Sequence, residues 1–173
     1  LSQSTRIALA LNLFKLKRMK VTSIREAQKK WIPGHLFDVV QAFLNSEMDG
    51  EPIYITPPPM WERYCKKRGI DYDPTDLILL GKAQYGQVDA AKRWIDMFFK
   101  IMTEQGVGGP ELMQCKADPC FLYKRDDRGE LICLLFIWVD DGWYSGEPKF
   151  VRKMLDYFKS KVEILEVGLM DTH

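Results

Sequence analysis

The sequence predicts an α+β fold: an antiparallel sheet with helices packed on one face. Three observations lead there. Short apolar or alternating runs rich in β-branched and aromatic residues recur at 36–40, 52–56, 77–80, 121–123 and 131–139, and such runs read as strands. Two long segments, 90–105 and 148–161, carry apolar residues at helical spacing instead. Strands and helices follow one another without strict alternation, which favours an α+β arrangement over a doubly wound parallel sheet. At 173 residues the chain fits a single domain with room for a core.

Residues 4–20 are predicted helical, with Ser4 or Thr5 as cap and Ile7, Leu11 and Phe14 on one stripe. Ser23-Ile24-Arg25-Glu26 has capping-box spacing and opens a second, short helix with Ile24, Ala27 and Trp31 as its buried face. Pro33-Gly34 is read as its end. Strand 36–40 sets Asp38 in an apolar run, where a carboxylate is costly unless paired, hydrogen-bonded or metal-bound. Gln41 to Asn45 turns into a short helix. The strand at 52–56 stops at Pro57-Pro58-Pro59. Residues 60–76 read as helix then loop, 77–80 as strand and 81–89 as a loop containing Gly86.

In the 90–105 helix, Trp94, Phe98, Ile101 and Met102 form the apolar stripe, and Gly106 stops it. Asp126-Asp127-Arg128-Gly129 is a turn that pairs strand 121–123 with strand 131–139. In the 148–161 helix Pro148 suits the first turn, and Val151, Met154, Leu155 and Phe158 face inward. The sheet expected from these elements has three or four strands, with 37–40 and 134–139 as neighbours and the 4–20 and 90–105 helices over its apolar face.

Composition excludes little. Apolar content is 46 % and charged content 28 %, ordinary for a globular chain, and the net charge of +1 does not mark a nucleic-acid binder. Its distribution says more: residues 1–36 hold eight Lys and Arg against Glu26 alone, a net of +7, which leaves −6 for the remainder. This asymmetry suits either a basic face opposite an acidic site or a solvated helix surface. Cys65, Cys115, Cys120 and Cys133 lack zinc-type spacing, and His35 and His173 are too few to complete a cluster. Arg6, Asn12 and Lys15 interrupt the first apolar stretch, which is not read as a signal peptide. Reduced thiols and a cytoplasmic location are the expectation.

The chemistry concentrates at Leu131 to Gly142. Nine apolar residues run unbroken to Val139, too few to cross a membrane, and Asp140-Asp141-Gly142 follows. Two readings apply. Asp141-Gly142 between apolar runs is a hairpin-turn signal, with Trp143-Tyr144 starting the return strand. Paired carboxylates on a fixed turn also supply the oxygen ligands that hard cations such as Mg²⁺ need. The Asp126-Asp127 pair, at a polar loop tip, is read as a turn only.

Three segments resemble the reverse transcriptase of copia-type retrotransposons. Phe37-Asp38-Val39-Val40-Gln41-Ala42-Phe43-Leu44-Asn45, followed by Ile53-Tyr54-Ile55 and the prolines, is similar to that family's Asp-Val-x-x-Ala-Phe-Leu-Asn block and its next strand. Tyr85-Gly86 through Trp94 is similar to its Leu-Tyr-Gly-Leu-Lys-Gln-Ala-Pro-Arg block. Asp118-Pro119-Cys120, with Trp138-Val139-Asp140-Asp141 downstream, stands where the family has Tyr-Val-Asp-Asp. The order holds across residues 36–162, most of the chain.

The resemblance implies a polymerase palm with part of the fingers, and RNA- or DNA-templated DNA synthesis. It implies Asp38, Asp140 and Asp141 as catalytic residues and ligands of two Mg²⁺, with Mn²⁺ as an alternative. Two ions about 3.5–4 Å apart activate a primer 3′-hydroxyl and stabilise the pyrophosphate leaving group. It places Gln41, Ala42, Phe43 and Gly86 around the incoming nucleotide, with Phe43 blocking a ribose 2′-hydroxyl or serving as a core phenylalanine. The implied partners are a template with primer, a deoxynucleoside triphosphate, and the integrase and ribonuclease H of the same polyprotein, in the cytoplasm or a virus-like particle and without a membrane.

The chain departs from the family in several places. Trp138 replaces Tyr, and Gln87-Val88-Asp89-Ala90-Ala91 replaces Leu-Lys-Gln-Ala-Pro, so an acid stands near the expected triphosphate. Residues 24–36 read as an insertion, with 24–34 expected on the surface away from the sheet. The span lacks the fingers' basic residues, the thumb and ribonuclease H, so the expectation for this chain alone is no primer extension. The competing reading is an inactive retroelement remnant or a palm-like nucleic-acid-binding module.

Overall fold

The computed structural model describes residues 26, 29–48, 50–106 and 108–169. The helix expected at 4–20 lies outside them. The fold is α+β. A six-stranded, wholly antiparallel sheet is built from β1 (Ile32–Val39), β4 (Met113–Gln114), β5 (Phe121–Arg125), β6 (Leu131–Trp138), β7 (Asp141–Gly146) and β8 (Ile164–Leu169). Its strand order is β4-β5-β6-β7-β1-β8. A separate two-stranded ribbon pairs β2 (Tyr54–Ile55) with β3 (Ile78–Leu79). The helices are α1 (Ala42–Asn45), α2 (Trp61–Arg68), α3 (Ala90–Thr103) and α4 (Pro148–Lys159). Among the described residues no helix is long and apolar enough to cross a membrane.

The alternation of side chains along each strand sorts the sheet into two faces. Phe37, Val39, Leu122, Cys133, Leu135, Ile137 and Tyr144 point to one face, and the stripes of α3 (Trp94, Phe98, Ile101, Met102) and α4 (Val151, Met154, Leu155, Phe158) pack on it. Phe37 and Phe98 both meet Phe158 edge-on, with ring centroids 5.9 and 5.6 Å apart. A smaller cluster on the other face gathers Phe121, Leu134, Phe136 and Trp143, with Leu36 against it. Helices therefore cover one face, as expected, and both apolar stripes are those the periodicity marks.

The helix ends follow their sequence signals. Gly69, at φ +66°, closes α2, where the Gly69 and Ile70 amides donate to the Lys66 and Cys65 carbonyls, the left-handed stop that glycine permits. Pro148 occupies the first turn of α4. In the β5–β6 turn, Asp126 accepts from the Arg128 and Glu130 amides, which confirms it as a turn.

Four expectations need correction. The 37–40 and 134–139 strands are not neighbours: β7 lies between them. The two-residue loop after β6 folds the return strand back beside it, and β1 then adds to the far side of β7. The sheet has six strands rather than three or four, because β4, β7 and β8 all join it.

Residues 31–34 do not lie away from the sheet: Trp31 is buried and 32–34 belong to β1. Glu26, Lys29 and Lys30 are helical, and the Lys30–Glu26 ion pair at 2.8 Å faces solvent. Trp31, however, is fully buried, and its indole N–H donates to the Ser145 hydroxyl at 2.7 Å. Pro33-Gly34 sits inside β1 instead of ending a helix. The strand tolerates them through an irregular register between Ile32 and His35, since proline cannot donate to the ladder and is accommodated at bulges.

Candidate functional site

The site is built on the β6–β7 hairpin. Trp138 pairs with Asp141, so the loop is Val139-Asp140 and not Asp141-Gly142. Val139 has φ +59°, unusual for a β-branched residue and a form of strain worth about 1–3 kcal/mol that the surroundings must enforce. Both loop carbonyls are held from outside the hairpin. The Val139 carbonyl accepts from the Trp94 indole N–H of α3, and the Asp140 carbonyl from the Val39 amide of β1 at 2.9 Å.

The second bond fixes the register in which Asp38 faces Asp141. Because 39 and 140 are the hydrogen-bonded partners, 38 and 141 occupy a non-hydrogen-bonded pair, where facing Cβ atoms come to about 4.5–5.5 Å. Asp38 thus faces Asp141, with Asp140 next to it in the turn. Phe37 and Val39 point into the helix-covered core, so Asp38, Asp141 and Trp138 share the opposite face. Trp138 is two-thirds exposed there.

The electrostatics follow from the placement. Slight desolvation pushes the largely exposed Asp141 carboxyl above its ordinary value, and the neighbouring Asp140 and then Asp38 carboxylates push it further. The native state therefore keeps a proton over a pH window in which the unfolded chain has lost it. Stability falls as pH rises through that window, and the penalty is fully present above it. Asp141→Asn is expected to raise metal-free stability at pH 7, by under about 1 kcal/mol because the side chain is exposed and screened. The gain should vanish below the usual carboxylate range. Thermal unfolding of both proteins between pH 3 and 8 checks this; a pH-independent difference would point to packing instead.

The donor set suits a hard divalent cation: carboxylate oxygens on a rigid hairpin and its neighbour. Facing carboxylates at this spacing can reach a shared ion by side-chain rotation. As they stand, no group of three or more His, Cys, Asp or Glu among the described residues is gathered to hold a metal ion.

The other predicted residues lie where β1 runs into α1. Gln41 has φ +52° and precedes the short helix, Ala42 is fully buried, and the Asn45 side-chain amide donates to the Val40 and Gln41 carbonyls at 3.1 and 3.2 Å. Phe43 is half-buried, and its ring meets that of Tyr85 with centroids 4.6 Å apart. It is neither a fully buried core residue nor a bare surface ring. Gly86 follows Tyr85 in an exposed turn. Asp89 is ion-paired to Arg93 at 2.7 Å, which offsets its charge. Sequence reasoning missed the Trp94 contact; Trp94 reads as one more apolar position of a helix, and nothing local marks its indole as a donor to a loop 45 residues away. Comparison with protein-family models, curated proteins and solved structures gives no match.

Proposed function

We propose that the chain is the palm, with part of the fingers, of a copia-like reverse transcriptase, and that it serves templated DNA synthesis by nucleotidyl transfer. One observation carries the reading: three segments far apart in sequence, each resembling a block of that family, converge on one hairpin. Asp38 of the first faces Asp141 of the third, Phe43 of the first packs on Tyr85 of the second, and Trp94 of the second binds the Val139 carbonyl of the third. Asp118, upstream in the third, accepts from the Cys120 amide, and the Cys120 carbonyl accepts from Ile137 in β6.

In this reading Asp38, Asp140 and Asp141 hold two Mg²⁺ or Mn²⁺. When bound, such a pair supplies activation of the primer 3′-hydroxyl and neutralisation of the departing pyrophosphate. The protein's own part is positioning, a large share of any barrier reduction. The hairpin and β1 fix the carboxylates, and Phe43, braced by Tyr85, closes the nucleotide site against a 2′-hydroxyl. The cytoplasm is the expected location.

A palm-like module that binds nucleic acid without catalysis is the second reading, favoured by the three acids not being gathered at ligand distance. Electron paramagnetic resonance of Mn²⁺ separates the two. The polymerase reading expects Mn²⁺ bound by the parent, tightened by a deoxynucleoside triphosphate, and lost in Asp140→Asn. Mn²⁺ that stays free with the parent alone, together with a Mn²⁺–triphosphate signal that the parent leaves unchanged, would contradict it.

A further inference from the structure

We propose that Trp94 is a positioning residue for the acidic hairpin, because its indole N–H holds the Val139 carbonyl and so fixes the left-handed turn that carries Asp140 and Asp141. Two independent features meet there. Val139 adopts φ +59°, a conformation its β-branched side chain opposes. A turn of this kind persists only when its surroundings over-determine it. The surroundings are specific: Trp94 is fully buried, packed against Phe98 with ring centroids 6.0 Å apart, and its one donor is spent on the Val139 carbonyl. The Val39 amide fixes the next carbonyl, that of Asp140. The two bonds orient successive peptide planes, and the carboxylates are mounted on what those planes define.

Without the indole donor, Val139 relaxes toward its preferred extended region and the 139–140 peptide turns. That swings Asp140 relative to Asp38 and Asp141. Glycine at 139 has no such preference, because its left-handed conformation carries no side-chain penalty. In Val139→Gly the left-handed turn carries no side-chain strain, so removing the clamp has less to release. A residue that merely fills the core has no reason to interact energetically with the chemistry of position 139 in this way.

The test is a double-mutant cycle on the full chain: parent, Trp94→Phe, Val139→Gly and the double variant. Phe keeps most of the packing and removes the donor. The primary readout is the residual dipolar coupling of the Asp140 amide, which reports the orientation of the 139–140 peptide. Trp94→Phe is expected to change it strongly in the parent background and little in the Val139→Gly background. An unchanged coupling in Trp94→Phe overturns the proposal. So does an equal change in both backgrounds, which is the mark of a packing effect.

Mn²⁺ affinity is the second readout and rests on the metal-site reading. Trp94→Phe should weaken binding about threefold to tenfold, the range of one hydrogen bond, with the loss largely abolished in the Val139→Gly background. If the parent binds no Mn²⁺ while the amide coupling behaves as described, the metal reading fails and the positioning role stands. If Trp94→Phe does not fold, the scalar coupling across the hydrogen bond between the parent's Trp94 Nε1 and the Val139 carbonyl carbon decides. A resolved coupling supports the clamp, and its absence overturns it.

Discussion

Trp31→Ala is expected to cost about 3–5 kcal/mol, the range for truncating a buried tryptophan. Trp31 has no exposed surface, and its N–H donates to Ser145, whose hydroxyl in turn donates to the Ile32 carbonyl at 2.8 Å. Truncation opens a cavity against the sheet and takes the indole donor away from a buried hydroxyl. Trp31→Phe keeps most of the apolar contact and should lose about 1 kcal/mol, the worth of the hydrogen bond. Urea unfolding of the three proteins measures both. A change within about 0.5 kcal/mol for Trp31→Ala, as surface substitutions usually give, would return this segment to the surface and remove it from the sheet.

Gly142→Ala is the second large effect, expected to destabilise by about 1–3 kcal/mol, the usual cost of forcing extra volume into a packed site. A methyl at 142 would stand 2.3 Å from Cζ and 2.6 Å from Cε1 of Phe37, and 2.7 Å from the Phe136 carbonyl. Phe37 has nowhere to retreat, being packed edge-on against Phe158 and stacked near Tyr144. Phe37 directly precedes Asp38, so the displacement should reach the site as well as the core. Phe37→Leu in the same background removes the two clashing ring carbons and should recover part of the loss. Denaturant midpoints show which holds; no recovery would put the strain at the Phe136 carbonyl alone.

Gly142 also shows where local reading of the sequence runs out. Asp141-Gly142 looks like a turn because glycine commonly serves tight turns. Here glycine is required by a ring from another strand, and the turn sits two residues earlier on Val139, a residue type that turns of this hand disfavour. Long-range packing overrode both propensities. Pro33-Gly34 misled for a similar reason: a bulge absorbs what a regular strand or helix cannot. β7 was legible only as a return strand, and its place between β6 and β1 follows from hairpin closure. β8 was not anticipated; it forms an edge, with Leu165 and Val167 left exposed. The long periodic elements α3 and α4 were legible because one face of each is continuously apolar. The acids were legible as costly residues in apolar surroundings. Which of them faces Asp38 was not, since that depends on the register set by the Val39–Asp140 bond.

The proposed function requires Asp38, Asp140 and Asp141 to act together as a divalent-metal site. The Asp140 and Asp38 carboxylates both oppose ionisation of Asp141, and an ion that binds only the folded chain should stabilise it by mass action. At a Mn²⁺ concentration about ten times the dissociation constant the gain is about 1.4 kcal/mol, or roughly 3–6 °C in Tm for a chain of this size. The direct measurement is thermal unfolding at pH 7 with and without millimolar Mn²⁺, for the parent and for Asp38→Asn. The parent should shift upward by several degrees, and Asp38→Asn should lose most of that shift. Equal shifts in the two proteins, or none in either, would contradict the site.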